Sequence, residues 1–171
     1  MSKILTVFYS RKGTNHFPDG IRFVEKGNTA YAAEYIHKAV GGDLFEIDTA
    51  KPYSEDYKTC CSEAYAELKA NARPEIKGFV EDISAYDSIF VCYPNWCGTF
   101  PMCVLTFLEH YDLSGKKLIP LCTNEGSGLG HSEKDLKEAF PTAEVLPGLS
   151  VRGHQCADSE ELIADWAKKQ L

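Results

Sequence analysis

The chain alternates between short apolar runs and longer segments in which apolar residues recur at helical spacing. Nearly continuous apolar runs are typical of strands that are covered on both faces in a parallel sheet. Pro120 weakens one of these strand predictions, because proline has no N–H group to donate to a neighbouring strand. The runs predict five strands, at residues 4–9, 44–47, 88–93, 117–122 and 144–146.

Helical patterns lie between and after these strands. The first ends at Gly41-Gly42, and the last two begin near Ser132 and Asp158, each of which stands three residues before an acidic residue, as in a capping box. Helical spacing predicts five helices, at residues 28–40 and 53–71, at residues 102–111, and after Ser132 and Asp158.

Strands that alternate with helices in this way require right-handed crossovers between parallel strands. The predicted fold is therefore α/β: a three-layer sandwich in which a doubly wound parallel sheet carries helices on both faces. Residues 1–171 contain no internal repeat or linker, so we predict a single domain. In such folds ligands bind beyond the carboxyl ends of the strands, where the strand order reverses.

One segment interrupts the alternation between the first strand and the first helix. Pro18-Asp19-Gly20 predicts a turn, and residues 21–24 form a short β-prone run, so residues 12–26 are predicted to insert a hairpin. Gly27-Asn28-Thr29 leads directly into the amphipathic helix. We therefore expect the helix to begin at Asn28.

Charge narrows the classes of partner. Eighteen Lys and Arg against twenty-five Asp and Glu give a net charge of −7. Binding to nucleic acid needs clustered Lys and Arg, so this composition argues against it. The five histidines have no metal-like spacing, and we predict no metal site.

The cysteines and the apolar runs indicate the cellular compartment in which the protein is expected. Seven cysteines, an odd number without a C-x-x-C pair, are typical of reduced cytoplasmic thiols. The amino-terminal run at residues 1–9 is too short for a signal peptide, and no run approaches the ~20 apolar residues of a membrane span. We therefore expect a cytoplasmic protein with no membrane span.

Three loops follow the first, third and fourth strands. In the first, the hydroxyls of Ser10 and Thr29 combine with the amino terminus of the helix at Asn28 and Ala30, an arrangement suited to phosphate. Asn28 and Thr29 are also common helix-capping residues, so simple capping is an equal alternative. A Walker loop is excluded, because G-x-x-x-x-G-K-[ST] does not occur.

The other two loops suit a ring system. Trp96 lies in a turn bounded by proline and glycine and offers a flat apolar face, although an isolated tryptophan more often serves packing. Residues 123–130 contain three glycines, which let the backbone approach a polar ring edge closely. A mobile turn is the alternative for this third loop.

Together these loops resemble the flavodoxin family, most closely a bacterial flavodoxin-like group. The resemblance rests on Ser10-Arg11, on the GNT turn at residues 27–29, on the P-x-W segment at residues 94–96 and on the T-x-E-G-S-G segment at residues 123–128. It implies the strand order 2-1-3-4-5 and FMN as the cofactor. It implies contacts to FMN from Ser10, Arg11, Asn28, Thr29 and Ala30 around the phosphate, from Pro94, Asn95, Trp96, Cys97 and Gly98 around the isoalloxazine, and from Thr123, Glu125, Gly126, Ser127 and Gly128 at the ring edge or ribityl chain.

Two features depart from that group. Cys97 stands where a second aromatic residue is common, and the insertion at residues 12–26 splits the phosphate motif. The resemblance implies a low-potential electron carrier for redox partner proteins. An FMN-dependent reductase that passes hydride from NAD(P)H to a quinone is the main alternative, and an interaction module that has lost its flavin is a third.

Overall fold

A parallel sheet forms the centre of the protein in the computed structural model, which describes residues 3–171. Met1 and Ser2 of the amino-terminal run lie outside the described residues. Strand order is β4-β1-β5-β6, with β7 and β8 both paired to β6, so the five strand positions follow the predicted order 2-1-3-4-5. The sheet strands are β1 (Lys3–Phe8), β4 (Asp43–Glu46), β5 (Tyr86–Pro94), β6 (Lys117–Asn124), β7 (Glu144–Val145) and β8 (Leu149–Arg152). The predicted parallel α/β sheet is confirmed.

The predicted hairpin is also confirmed. Strands β2 (Gly13–Phe17) and β3 (Gly20–Val24) pair in antiparallel register, with Phe17 opposite Gly20 and a two-residue connection between them. The Arg22 guanidinium lies 3.9 Å from the centre of the Phe17 ring. The hairpin forms a separate two-stranded sheet beside the carboxyl end of β1.

The fifth strand position differs from the prediction because it is divided. β7 pairs with β6 only at Lys117 and Leu118, and β8, which the sequence did not indicate, pairs with residues 121–124. The gap lies opposite Ile119 and Pro120. Since Pro120 has no N–H group to donate, a continuous ladder along this edge of β6 is impossible.

Helices cover both faces of the sheet. α1 and α5 pack on the face of the sheet that carries Ile4, Phe8 and Phe90. α3 and α4 pack on the other face, which carries residues such as Leu5 and Ile89. Apolar side chains on both faces explain the continuous hydrophobic runs of the central strands. The helices are α1 (Asn28–Val40), α2 (Tyr57–Lys69), α3 (Met102–Leu108), α4 (Ser132–Ala139) and α5 (Glu160–Lys169), with a 3-10 helix at Gly153–Asp158.

Several helix ends differ from the predictions. α2 begins at Tyr57 rather than at residue 53, because the Asp56 carboxylate accepts a hydrogen bond from the Thr59 N–H. The capping roles predicted for Ser132 and Asp158 were wrong. The Ser132 hydroxyl instead donates to the Leu129 carbonyl, and Asp158 ends the 3-10 helix. The predicted start of α1 at Asn28 is confirmed.

No helix within residues 3–171 is long and apolar enough to cross a lipid bilayer.

Candidate functional site

A cleft of about 350 Å³ lies at the carboxyl ends of β1, β5 and β6. Its volume is within the range of about 300–1,000 Å³ that is typical of small-molecule sites. β1 lies between β4 and β5, so the connections leave the sheet in opposite directions at this point. We call this feature the switch-point cleft, and the predicted residues that line it are Arg11, Asn28, Pro94, Asn95, Trp96, Cys97, Thr123, Glu125 and Ser127.

The other predicted site residues do not line the cleft but shape the loops around it. The Ser10 hydroxyl accepts a hydrogen bond from the Ala30 N–H at 3.1 Å. The N–H groups of Gly126 and Gly128 both donate to the Asn124 side-chain oxygen, at 3.0 and 2.9 Å. These contacts fix loop geometry. The predicted residues outside the lining are Ser10, Thr29, Ala30, Gly98, Gly126 and Gly128.

The first loop is joined to the third by two buried hydroxyl groups. Thr29, which is 2% exposed, has its Oγ1 2.7 Å from Oγ1 of Thr123. Gly27 packs so closely on this loop that a Cβ atom there would lie 2.2 Å from Ser10 Oγ and 2.5 Å from the Arg11 carbonyl oxygen. The N–H groups of Asn28 and Thr29 have no acceptor within residues 3–171. The start of α1 therefore offers free donors and a positive dipole end.

Arg11 places a buried positive charge beside the cleft. The residue is 8% exposed, and its side chain donates hydrogen bonds to the carbonyl oxygens of Thr14 and Ser54, both at 2.9 Å, and of Glu55 at 3.3 Å. No carboxylate in the described part of the chain forms an ion pair with it. Buried charges are normally paired, so this guanidinium favours an anion in the cleft.

Trp96 combines a packing role with a place on the cleft wall. Its ring meets those of Tyr9 and Tyr53 edge to face, at centroid distances of 5.2 and 4.9 Å. Burial strongly raises the pKa of Tyr9 and of Tyr53, so both phenols stay neutral. The half-buried tryptophan is thus held by two aromatic neighbours while part of it faces the cleft.

In the second loop, the backbone N–H and carbonyl of Cys97 are available to a ligand. Cys97 has a φ angle of 56°, an uncommon value for a residue other than glycine. The neighbouring groups are occupied: Trp96 and Thr99 exchange backbone hydrogen bonds, and the Gly98 N–H donates to the Asn95 side chain. Neither the N–H nor the carbonyl of Cys97 has a partner within residues 3–171.

A brace from α4 holds the second loop from behind. The His131 N–H donates to the Gly98 carbonyl at 2.8 Å, and a Cβ atom on Gly98 would lie 2.9 Å from His131 Nε2. One oxygen of Asp135 accepts from the Thr99 hydroxyl and contacts His131 Nδ1, each at 2.7 Å. We call Thr99, His131 and Asp135 the α4 brace, and no sequence signal pointed to it.

The third loop is fixed by the last residue of β8 and by a residue that follows this strand. Both Glu125 carboxylate oxygens contact His154: one accepts its backbone N–H at 2.8 Å, and the other lies 2.7 Å from its Nδ1. Arg152 donates to the Glu125 carbonyl at 2.9 Å. The predicted site residue Glu125 thus lines the cleft, but its carboxylate is engaged by the protein itself.

One wall of the cleft was not predicted at all. The α2 residues on it follow helical spacing, a signal that marks a common face but not what that face meets. The hairpin wall carries His16, whose ring lies 6.1 Å from that of Tyr57. The residues that sequence reasoning missed are Asn15 and His16 of β2, Tyr57, Cys60, Cys61 and Ala64 of α2, and Asn124 and Gly153.

The fold and the cleft together define a doubly wound α/β protein with a small-molecule site at its switch point, a class in which flavodoxin carries FMN. The family model described as Flavodoxin matches residues 21–170. The chain belongs to the flavodoxin family.

Solved structures agree with this assignment. A candidate flavoprotein from Bacteroides uniformis is 29% identical, with a TM-score of 0.79 and 98% of each chain covered. One from Bacteroides eggerthii is 32% identical, with a TM-score of 0.73, covering 96% of this chain and 99% of that one. A Lactobacillus acidophilus flavoprotein in complex with FMN is 20% identical, with a TM-score of 0.70, covering 94% and 99%, and shares the fold. No curated protein matches the sequence.

Proposed function

We propose that this protein binds FMN in the switch-point cleft and acts as a low-potential electron carrier between redox partner proteins. The observation that carries the proposal is the combination, in one cleft, of a half-buried tryptophan with a buried guanidinium that pairs with no carboxylate within residues 3–171. The first suits a flat ring and the second suits a phosphate. FMN has both parts.

The phosphate end fits the residues present. Arg11 supplies positive charge, and the free N–H groups of Asn28 and Thr29 at the start of α1 supply directional donors. Ser10 holds Ala30 in place through its hydroxyl, and the Thr29–Thr123 hydroxyl pair ties this end of the cleft to the third loop. These groups would bind and orient the phosphate.

The ring end fits as well. Trp96 would stack on the isoalloxazine, and the free Cys97 peptide group would offer either a donor or an acceptor to its polar edge. When bound, FMN supplies the redox chemistry, and the protein sets its access and potential. The net charge of −7 disfavours added negative charge on the cofactor, which supports a low potential and one-electron transfer.

The proposal is tested on the purified protein. We expect a yellow protein that releases FMN on denaturation, identified by mass, and whose visible absorbance changes in two separate one-electron steps during a reductive titration. Uptake of electrons only in pairs, or catalytic oxidation of NADH or NADPH with a quinone, would instead indicate the reductase. Failure of the apoprotein to take up added FMN would contradict both and indicate an interaction module.

The α4 brace gives a prediction about affinity. Thr99→Val removes the hydroxyl that donates to Asp135 while it keeps the side-chain shape. A hydrogen bond to a charged group contributes about 1.5–3 kcal/mol, so we expect the Kd for FMN to rise about tenfold as the second loop loosens. Fluorescence titration of FMN measures the change.

Thr142→Val, which removes the hydroxyl that accepts from Ser114 far from the cleft, is the control. Equal FMN affinity in both variants would contradict a role for the brace.

A further inference from the structure

The cysteines divide sharply by exposure. All seven are free thiols, and only Cys61 and Cys97 are exposed. These two come from different elements, α2 and the loop after β5, and both line the switch-point cleft. The exposed thiols of the chain are therefore gathered at one site, the site at which the cofactor is proposed to bind.

The remaining thiols are shielded. Burial raises the pKa of Cys60 to about 11 and that of Cys122 and Cys156 to about 12, and it raises the pKa values of Cys92 and Cys103 further. Because the thiolate is the reactive form, these five sulfurs are poor nucleophiles at neutral pH. Cys60 differs most clearly from its neighbour Cys61 in exposure: both residues line the same cleft, but Cys60 is only 3% exposed.

The cleft also suits an anionic reagent. Arg11 lies on its wall without a carboxylate partner in the described part of the chain, and free N–H groups stand at the start of α1. A small disulfide that carries carboxylates, such as glutathione disulfide, would be attracted by this charge. Burial and the nearby Cys61 both raise the pKa of Cys97, in that order.

We propose that Cys61 and Cys97 form a site of reversible S-thiolation by a low-molecular-mass disulfide, and that S-thiolation and FMN binding exclude each other. The mutual exclusion of S-thiolation and FMN binding rests on the proposed function. A group attached to either sulfur would occupy the 350 Å³ cleft, so the thiol redox state of the surroundings would control whether the apoprotein loads its cofactor.

The reaction is a thiol–disulfide exchange. The thiolate sulfur of the protein attacks one sulfur of the reagent, forming a new S–S bond as the S–S bond of the reagent breaks. The protein sulfur is oxidised, and the other half of the reagent leaves as a thiolate and takes up a proton. An excess of a small thiol reverses the exchange.

The test maps the modification on the apoprotein. After treatment with glutathione disulfide, we expect peptide mass mapping to find the adduct on Cys61 and Cys97 at least about tenfold faster than on Cys60. Prior loading with FMN is expected to slow both reactions by a similar factor. The thiolated protein is expected to bind FMN at least about tenfold more weakly, and dithiothreitol is expected to restore binding.

Variants keep the test decisive. The Cys61→Ser, Cys97→Ser double variant should keep its FMN affinity unchanged by the reagent, whereas Cys60→Ser should show the wild-type pattern of adducts. Equal labelling of Cys60, or equal labelling with and without FMN, would overturn the proposal. So would a mass loss of two hydrogens, which indicates an internal disulfide. If the protein takes up no FMN, the proposed function and the exclusion both fail, but the mapping still decides whether the site is S-thiolated.

Discussion

Gly27→Ala is expected to weaken FMN binding at least about 100-fold while leaving the sheet and helices folded. Gly27 has φ −70° and ψ 153°, a backbone conformation that alanine adopts freely, so the effect is purely steric. The added Cβ would lie 2.2 Å from Ser10 Oγ and 2.5 Å from the Arg11 carbonyl oxygen. The serine side chain can rotate away, but the carbonyl belongs to the backbone. The loop must therefore move, and the phosphate donors move with it.

The expected magnitude follows from the contacts that are displaced. Overpacking a tight site costs about 1–3 kcal/mol of stability. We expect a further loss of at least about 100-fold in FMN affinity, because Ser10, Arg11 and the start of α1 no longer converge. Fluorescence titration and thermal unfolding of the apoprotein separate the two effects.

Gly78→Ala is the matched control for this variant. A Cβ atom at Gly78 would meet nothing within 4 Å, so neither stability nor FMN affinity should fall. If Gly27→Ala bound FMN as tightly as Gly78→Ala does, the first loop would not be part of the FMN site.

The sheet and the loops at its carboxyl edge were predictable because their signals are local. Two-sided burial of β1, β5 and β6 appears in the sequence as continuous apolar runs, and parallel strands bring the loops that follow them to one edge. The start of α1 at Asn28 followed from a glycine and two polar residues in front of an amphipathic pattern. Nine of the fifteen predicted site residues accordingly line one cleft.

The parts that were not predictable depend on distant residues. The break between β7 and β8 arises from Pro120 on the neighbouring strand, so nothing in residues 144–152 announces it. The wall formed by α2 depends on how the 53–56 loop turns, and that loop is held by Arg11 through the carbonyls of Ser54 and Glu55. A sequence pattern does not reveal which carbonyl a distant guanidinium will meet.

Arg11→Met is expected to weaken FMN binding by about 100-fold and to lower the free energy of unfolding by about 2–4 kcal/mol. Its guanidinium donates to the carbonyls of Thr14, Ser54 and Glu55, so methionine removes three hydrogen bonds that help to join the hairpin to the 53–56 loop. The hydrogen bond from the Thr14 hydroxyl to the Glu55 carbonyl remains. The variant also removes the positive charge that no carboxylate in the described part of the chain neutralises.

Riboflavin separates these two roles of Arg11, because it has the ring of FMN but no phosphate. If Arg11 neutralises the phosphate, Arg11→Met should lower the affinity for FMN much more than that for riboflavin, and salt should weaken FMN binding more in the wild type than in the variant. Arg11→Lys keeps the charge without the planar fork, so it should recover part of the FMN affinity but less of the stability.

Arg22→Met, in the hairpin that Arg11 contacts through Thr14, supplies the control. Arg22 is exposed, pairs with Asp19 and lies over the Phe17 ring, away from the cleft. We expect its loss to change affinity for neither ligand.

Equal losses of FMN and riboflavin affinity in Arg11→Met would show that Arg11 acts only by holding the hairpin, and the anion in the cleft would then have to be held by the start of α1 alone. That outcome would remove the charge argument for FMN while leaving the ring argument from Trp96 intact.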